Sequence, residues 1–290
     1  MTARAALEVV SAGPLTTVQD LGRPGLGRLA VTASGAYDRA ALRLANRLVG
    51  NPEGAAGLEC LLGGLAVRAV DAPVTVAVTG CRGALTVDDR AVDRGTPLTV
   101  APGQVLVLGP AASGLRAYVA VRGGLSVPPV LGSRSRDTLA GLGPEPLTAG
   151  GRLPVGAAVG PVPAVDHVPV PAYGEPVPLA ALPGPRWDWF TDGARALLGA
   201  ATYEVSTRSD RVGIRLTGPA LERVVTGELP SEPLVRGALQ VPPDGTPVIM
   251  GPDHPTTGGY PVVAVLREAD QDRCAQLRSG DRVRLVVTQR

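Results

Sequence analysis

A mainly β protein made of two β units joined by a connection is predicted by three observations. The 290 residues include 38 Gly and 29 Pro yet are 44% apolar, a composition that folds but is cut by frequent turns. The apolar residues come in short runs bounded by those turns. Helical spacing occurs at only a few places, which excludes long helical bundles and coiled coils. At roughly 150 residues per domain the length suits two domains or one large all-β unit. The expected division is a first subdomain over 1–150, a Pro- and Gly-rich connection over 151–185, and a second subdomain over 186–290.

In the first subdomain, strands are expected at 7–10, 65–70, 74–79, 85–87, 98–100, 105–108 and 116–121, lengths that suit a compact barrel or sandwich. One helix interrupts them. Asp38 can cap its start, Ala41, Leu42, Ala45, Leu48 and Val49 repeat at helical spacing, and Gly50, Asn51 and Pro52 end it. Arg39, Arg43 and Arg47 recur on the opposite face, which reads as a solvated face. From 150 to 185 Pro falls at nearly every fourth position, as in an extended, partly polyproline-like connection. The second subdomain reads as a short helix at 192–198, strands at 203–206, 211–216, 247–250 and 261–266, a helical turn near 268–277 and a closing strand at 282–287. Segments 102–108 and 279–285 echo each other as turn plus alternating strand, consistent with two similar units.

All 28 basic residues are Arg, and the sequence contains no Lys. That removes Schiff-base and pyridoxal-phosphate chemistry on a lysine, the lysine of a P-loop, and any lysine on which the chain carries biotin. With His167 and His254 the only histidines, a paired-His zinc helix or three-His metal site is excluded, and no metal held by this chain is expected. The net charge of +2 is spread among acids, so neither nucleic acid nor a membrane surface is the expected partner. Cys60, Cys81 and Cys274 are odd in number and widely spaced, as reduced thiols of a cytoplasmic protein are. No leader-like apolar run opens the chain, and no apolar span reaches membrane length.

Several polar segments carry chemistry. In GPDHPTTGGYP (251–261), Asp253, Thr256, Thr257, Gly258, Gly259 and Tyr260 put hydroxyls and backbone donors in one bend, suited to a carbonyl, carboxylate or phosphate, or else to a Gly-Gly hairpin turn. STRSDRVG (206–213) holds Ser209, Asp210 and Arg211, which can fork onto a carboxylate or bicarbonate or form surface ion pairs. The run 13–23, with Asp20 and Arg23, leads to Ser34 and the Asp38 helix start, an anion site or simply a capped helix. Asn46 and Glu59 are polar among apolar neighbours, and a buried Glu59 near Arg is either a raised-pKa acid or a structural partner. Arg134 lies in an Arg-and-Gly turn of the same kind.

TTVQDLGRPGLG, SGAYDRAALRLANRLVGNP, LECLLGG, VLGSRS, SDRVGIRL and TTGGYPVVAVL occur in this order over most of the chain. As a set they resemble the biotin-dependent carboxyltransferase-like family, which includes the C subunit of ATP-dependent 5-oxoprolinase, KipA, and the second half of the urea carboxylase carboxyltransferase region. The resemblance implies two cyclophilin-like β-barrel subdomains with a few short helices. It implies a multi-subunit enzyme in which this chain, with the A and KipI-like B subunits, uses ATP to open 5-oxoproline to L-glutamate. By the same resemblance Asp210, Arg211, Thr256, Thr257 and Tyr260 are expected to be catalytic. Asp20, Arg23, Ser34, Asp38, Asn46, Arg134, Ser209, Asp253, Gly258 and Gly259 are expected to bind the lactam or amide substrate. Two departures stand out: Pro255 replaces an expected Gln, and Tyr37 an expected Met. Carboxyl transfer from biotin on another protein to a small amide, KipA-like control of a kinase inhibitor, and a non-catalytic binding module remain the alternatives.

Overall fold

The computed structural model describes residues 5–161, 163–164, 168–169 and 175–288, so His167 and Tyr173 lie outside the described residues. The chain divides into two compact units. The first comprises Met1–Arg23, Asp38–Asp137 and Gly141–Ala172, and the second Pro24–Tyr37, Thr138–Ala140 and Tyr173–Arg290.

The first unit is built from β1 (Ala6–Ala12), β2 (Leu15–Gln19), β3 (Gly57–Leu61), β4 (Leu65–Val70), β5 (Val74–Val87), β6 (Arg90–Ala91), β7 (Leu98–Val100), β8 (Val105–Val121) and β9 (Arg152–Pro154), with helix α1 (Arg39–Leu48). Its sheet follows the path β2-β3-β8-β4-β1-β9, a half-barrel, and β5 pairs with β6, β7 and β8. β8 organises this unit. One edge pairs with β5 from Val76↔Val121 to Val87↔Leu106, while the other is shared between β3 at 116–119 and β4 at 105–107.

The strands expected at 74–79 and 85–87 are one strand, as are those at 105–108 and 116–121. Register shifts at Gly80–Leu85 bend the ladder without ending it. Gly80 has φ 83, and a side chain there would collide with the Arg116 carbonyl. The core is aliphatic, with Leu7, Val9, Val18, Leu58, Val67, Val76, Val78, Leu106 and Val119 fully buried. The Asp38 carboxylate accepts from Ala41 N at 2.8 Å, capping α1 as its sequence predicts.

The second unit contains β10 (Val177–Pro183), α2 (Asp192–Ala200), β11 (Thr202–Val205), β12 (Gly213–Thr217), β13 (Glu232–Pro233), β14 (Ala238–Gln240), β15 (Val248–Met250), β16 (Thr257–Gly258), β17 (Val262–Leu266), α3 (Glu268–Cys274) and β18 (Arg282–Val287). Seven strands close a barrel in the order β10-β17-β14-β15-β12-β11-β18, shut by the parallel pairing of β10 with β18. Leu179, Val205, Ile214, Leu239, Ile249, Val263, Val283 and Leu285 fill it, together with Phe190 and Leu198.

The mainly β expectation therefore holds. The stretch 151–185, expected as a connection, instead supplies β9, which pairs with β1, and β10 of the barrel. Prolines masked an alternation of period two: Val177, Leu179 and Ala181 are buried while Pro178 faces out.

Candidate functional site

The predicted residues fall into sets within the two units. In the second unit the centre is Asp253, wholly buried at 0% exposure, paired with Arg211 at 3%. Its carboxylate accepts five hydrogen bonds. Oδ2 takes Arg211 Nε at 2.8 Å, Thr138 N at 2.9 Å and Thr138 Oγ1 at 2.8 Å. Oδ1 takes Ser34 Oγ at 2.6 Å and Arg211 Nη2 at 3.0 Å. Arg211 Nη2 also donates to Gly35 O at 2.7 Å. Burial alone would raise the Asp253 carboxyl, but the Arg211 charge and the donors on Arg211, Ser34 and Thr138 hold it below the ordinary value.

Local backbone brings these groups together. Ser34 has φ 53 and Gly35 φ 95, a left-handed pair that exposes the Gly35 carbonyl to Arg211. Asp253 N donates to Arg211 O and Gly251 N to Val212 O, which ties the 251–253 turn to 211–212. Thus Ser34, Arg211 and Asp253, picked from three distant motifs, meet in one network. As a saturated carboxylate, Asp253 has no lone pair to take a substrate proton; it holds three loops together.

The flanking residues behave differently. Asp210 is exposed and accepts from Val212 N and Gly213 N at 2.8 and 3.0 Å, while Ser209 Oγ accepts from Arg215 N at 3.1 Å. Both shape the turn from which only Arg211 enters the network. Thr257 and Gly258 form β16 against Glu232 and Pro233, so the expected bend is a short ladder. Gly258 is required by packing, since a Cβ there would lie 2.5 Å from Gln240 Nε2 and 2.8 Å from Leu234 Cδ1. Thr257, Gly259 and Tyr260 are exposed, Tyr260 at 46%, and Thr256 is half-buried.

In the first unit Asp20 repeats the device of Asp253. Its Oδ1 accepts from Gly22 N at 2.7 Å and from Ser133 Oγ and Ser135 Oγ at 2.6 Å each, and its Oδ2 from Arg134 N at 2.6 Å. The loop GSRS is folded around this carboxylate. Arg23 donates to Val130 O and Ser135 O, and Arg134 Nε to Val127 O at 2.7 Å. Asn46 uses its amide on the following loop: Nδ2 reaches Glu53 O and Ala55 O at 3.1 and 2.8 Å, and Oδ1 accepts from Asn51 at 3.0 Å.

Four groups escaped selection as site residues from the sequence. Thr138 has no motif around it. Arg236 donates to Tyr37 O at 2.7 Å and pairs with Asp272 at 2.9 Å. Glu59 and Tyr118 form a buried couple: the Tyr118 hydroxyl donates to Glu59 Oε2 at 2.8 Å and accepts from Asp38 N at 2.7 Å. Burial, reinforced by Glu59 and Asp38, pushes the Tyr118 phenol well above its usual value. The available signal for that couple was a lone acid within the apolar run LECLL.

Comparison with known proteins fits these arrangements into a context. A family model described as the carboxyltransferase domain, subdomains A and B, matches residues 29–287. The C subunit of 5-oxoprolinase from Escherichia coli (strain K12) is 38% identical over 284 residues, covering 97% of this chain and 90% of that relative. The crystal structure of the K. lactis urea amidolyase superposes with a TM-score of 0.91 at 29% identity, over 98% of this chain but 19% of that one. The crystal structure of TTHA0988 gives 0.89 at 35% identity, over 98% of this chain and 55% of that one.

Proposed function

Because the chain belongs to the family of the carboxyltransferase domain, subdomains A and B, we propose that it is the C subunit of an ATP-dependent 5-oxoprolinase, working with the A and KipI-like B subunits of that enzyme. The observation that carries this reading is the 38% identity to the C subunit of a 5-oxoprolinase, which extends over nearly the whole of both chains. In the reaction, one water adds to the lactam carbonyl carbon and the C–N bond breaks, the nitrogen taking a proton to become the amine of glutamate, while the oxygen of a second water is taken up as ATP is converted to ADP and phosphate. A lactam carbonyl resists water, so donors that stabilise charge developing on its oxygen lower the barrier. On this chain the groups suited to that work are the exposed hydroxyls of Thr257 and Tyr260 with Thr256 behind them. Arg211 and Asp253 hold their supporting loops in place and act as positioning residues. ATP is a reactant of the assembly, and no residue here is assigned to it. Cys60, Cys81 and Cys274 are buried and form no disulfide among the described residues, which supports a reducing compartment such as the cytoplasm.

Carboxyl transfer to a small amide is the second reading, favoured by the 0.91 TM-score to the urea amidolyase. Since the sequence has no Lys, the biotin would ride on another chain. The deciding experiment is glutamate release from 5-oxoproline and ATP by the co-purified subunits, each omitted in turn. Turnover that needs this chain, and that falls at least about tenfold in an intact Thr257→Ala complex, fits loss of one oxyanion donor. An assembled complex that releases no glutamate overturns the first reading.

A further inference from the structure

The hydroxyls of Thr257 and Tyr260 lie on a run, 256–261, that joins the barrel only where β17 begins. Before that point its ladder partner is β13, through Glu232↔Gly258 and Pro233↔Thr257, and Leu234 N donates to Thr256 O at 2.9 Å. β13 and β16 form a two-stranded sheet of their own, outside the barrel order. Two paired strands are at best marginally stable alone, so whatever ties β13 to the barrel decides how firmly Thr257 is held. The stretch that leads into β13 offers little support, since residues 224–228 are all exposed and a side chain at Gly227 would meet nothing within 4 Å.

At its far end β13 is tied by burial of Leu234 in a cluster with Ala238, Met250 and Val262. At the Glu232 end the tie is Arg186. Its guanidinium meets the carboxylate as a fork, Nε donating to Oε2 at 3.1 Å and Nη2 to Oε1. The same guanidinium stacks over the Trp189 ring, 5.1 Å from the centroid, so the side chain is held on two sides. Its backbone is fixed on β17: Arg186 N donates to Val262 O at 3.1 Å and Gly184 N to Val263 O at 2.9 Å. These contacts close a ring. From Val262 it passes through Arg186 to Glu232, across the ladder to Gly258, and back along the chain through Gly259, Tyr260 and Pro261.

We propose that Arg186 is a positioning residue: through Glu232 it latches β13 to β17 and so fixes the Thr257 and Tyr260 hydroxyls against the substrate carbonyl. The consequence for turnover rests on the reading of those hydroxyls as the donors of the 5-oxoprolinase reaction; the latch itself does not. A donor misplaced by about 1 Å loses much of its effect on charge that develops in the transition state. Loosening the latch therefore lowers kcat and leaves KM nearly unchanged. The paired side chains are 32% and 26% exposed, and a pair so placed adds little to global stability. Positioning and folding are thus separable by measurement.

The test compares Arg186→Gln, Glu232→Gln and the exchanged pair Arg186→Glu/Glu232→Arg, in the full chain and in the complex co-purified with the other subunits. Amide hydrogen exchange over 256–260 reads the latch, and urea unfolding reads the fold. Both single variants should keep a urea midpoint near that of wild type and exchange at least about tenfold faster in this run, with β12 and β15 unchanged. In the complex, kcat for glutamate release should fall at least about tenfold with KM within about twofold. The exchanged pair should bring exchange and kcat back to within about threefold of wild type. Glu232→Gln carries the test if Arg186→Gln, which also loses the stack on Trp189, fails to fold. Unchanged exchange in the single variants, or no recovery in the exchanged pair, overturns the latch. Faster exchange with unchanged kcat overturns the positioning role. If the wild-type complex releases no glutamate, the 5-oxoprolinase reading falls, and the exchange result alone upholds or overturns the latch.

Discussion

Replacing Asp253 by Asn changes one oxygen to NH2 within a network of known geometry. In the better orientation the remaining oxygen keeps Arg211 Nε, Thr138 N and Thr138 Oγ1. The new amide then faces Ser34 Oγ, which can turn round and accept, and Arg211 Nη2, which cannot. One hydrogen bond to a charged group is lost, worth about 1.5–3 kcal/mol. A buried guanidinium is also left without its counter-charge, and breaking a buried pair in this way costs about 3–5 kcal/mol in all. That is a large share of the roughly 5–15 kcal/mol that stabilises a domain. Trp187 and Trp189, the only two tryptophans, lie in the second unit, so their fluorescence during urea unfolding reports on the barrel.

The pH dependence sharpens the test. Asp253 is held below the ordinary aspartate value, about 3.9, so on acidification the unfolded chain takes up its proton before the folded chain does. The stabilisation is complete above the unfolded value and is lost as pH falls through the depressed folded value. The gap between wild type and Asp253→Asn should therefore stay level from about pH 8 to 5 and narrow below about pH 4. A loss under about 1 kcal/mol at neutral pH, the level of a surface pair, or a gap unchanged in acid, would refute the linchpin role.

Two further outcomes are expected. Gly258→Ala should destabilise by about 1–3 kcal/mol through overpacking against Gln240 and Leu234, whereas Gly259→Ala, whose nearest neighbour is Leu229 O at 3.4 Å, should change the urea midpoint little; equal effects would contradict the packing argument. In alkaline titration followed by tyrosinate absorbance, Tyr203, which burial raises to about 12, and Tyr118, raised well above its usual value by burial and by Glu59 and Asp38, should ionise late; the unfolded phenols ionise near pH 10, so stability should be full below that pH and fall as pH rises through the folded values.

The helix at 39–48 was legible because cap, period and terminating Gly all lie within fifteen residues of one another, and local rules decide it. The long strands β5 and β8 were not, because Gly80 and Gly83 look like turn residues and become bulges only once a partner strand spans them. Likewise Thr257-Gly258 reads as a bend until Glu232 and Pro233 pair with it. Ser34, Arg211 and Asp253 were visible as polar residues next to turn glycines. Their saturation was not, since it depends on Thr138, 115 positions from Asp253, in a segment without local signal.

Asp20 and Asp253 show a similar solution in the two units: a buried carboxylate, placed one turn from a functional-looking loop, collects donors that fold the loop around it, four on Asp20 and five on Asp253. Asp38 is likewise engaged as a helix cap and Asp210 as a turn former. Asp20, Asp38, Asp210 and Asp253 are thus structural, and the side chains that the 257–260 run leaves exposed are the hydroxyls of Thr257 and Tyr260. Such groups can bind and polarise a carbonyl or carboxylate but are poor proton acceptors near neutrality. In the proposed 5-oxoprolinase, replacing these four aspartates should therefore alter stability before it alters the pH profile of turnover.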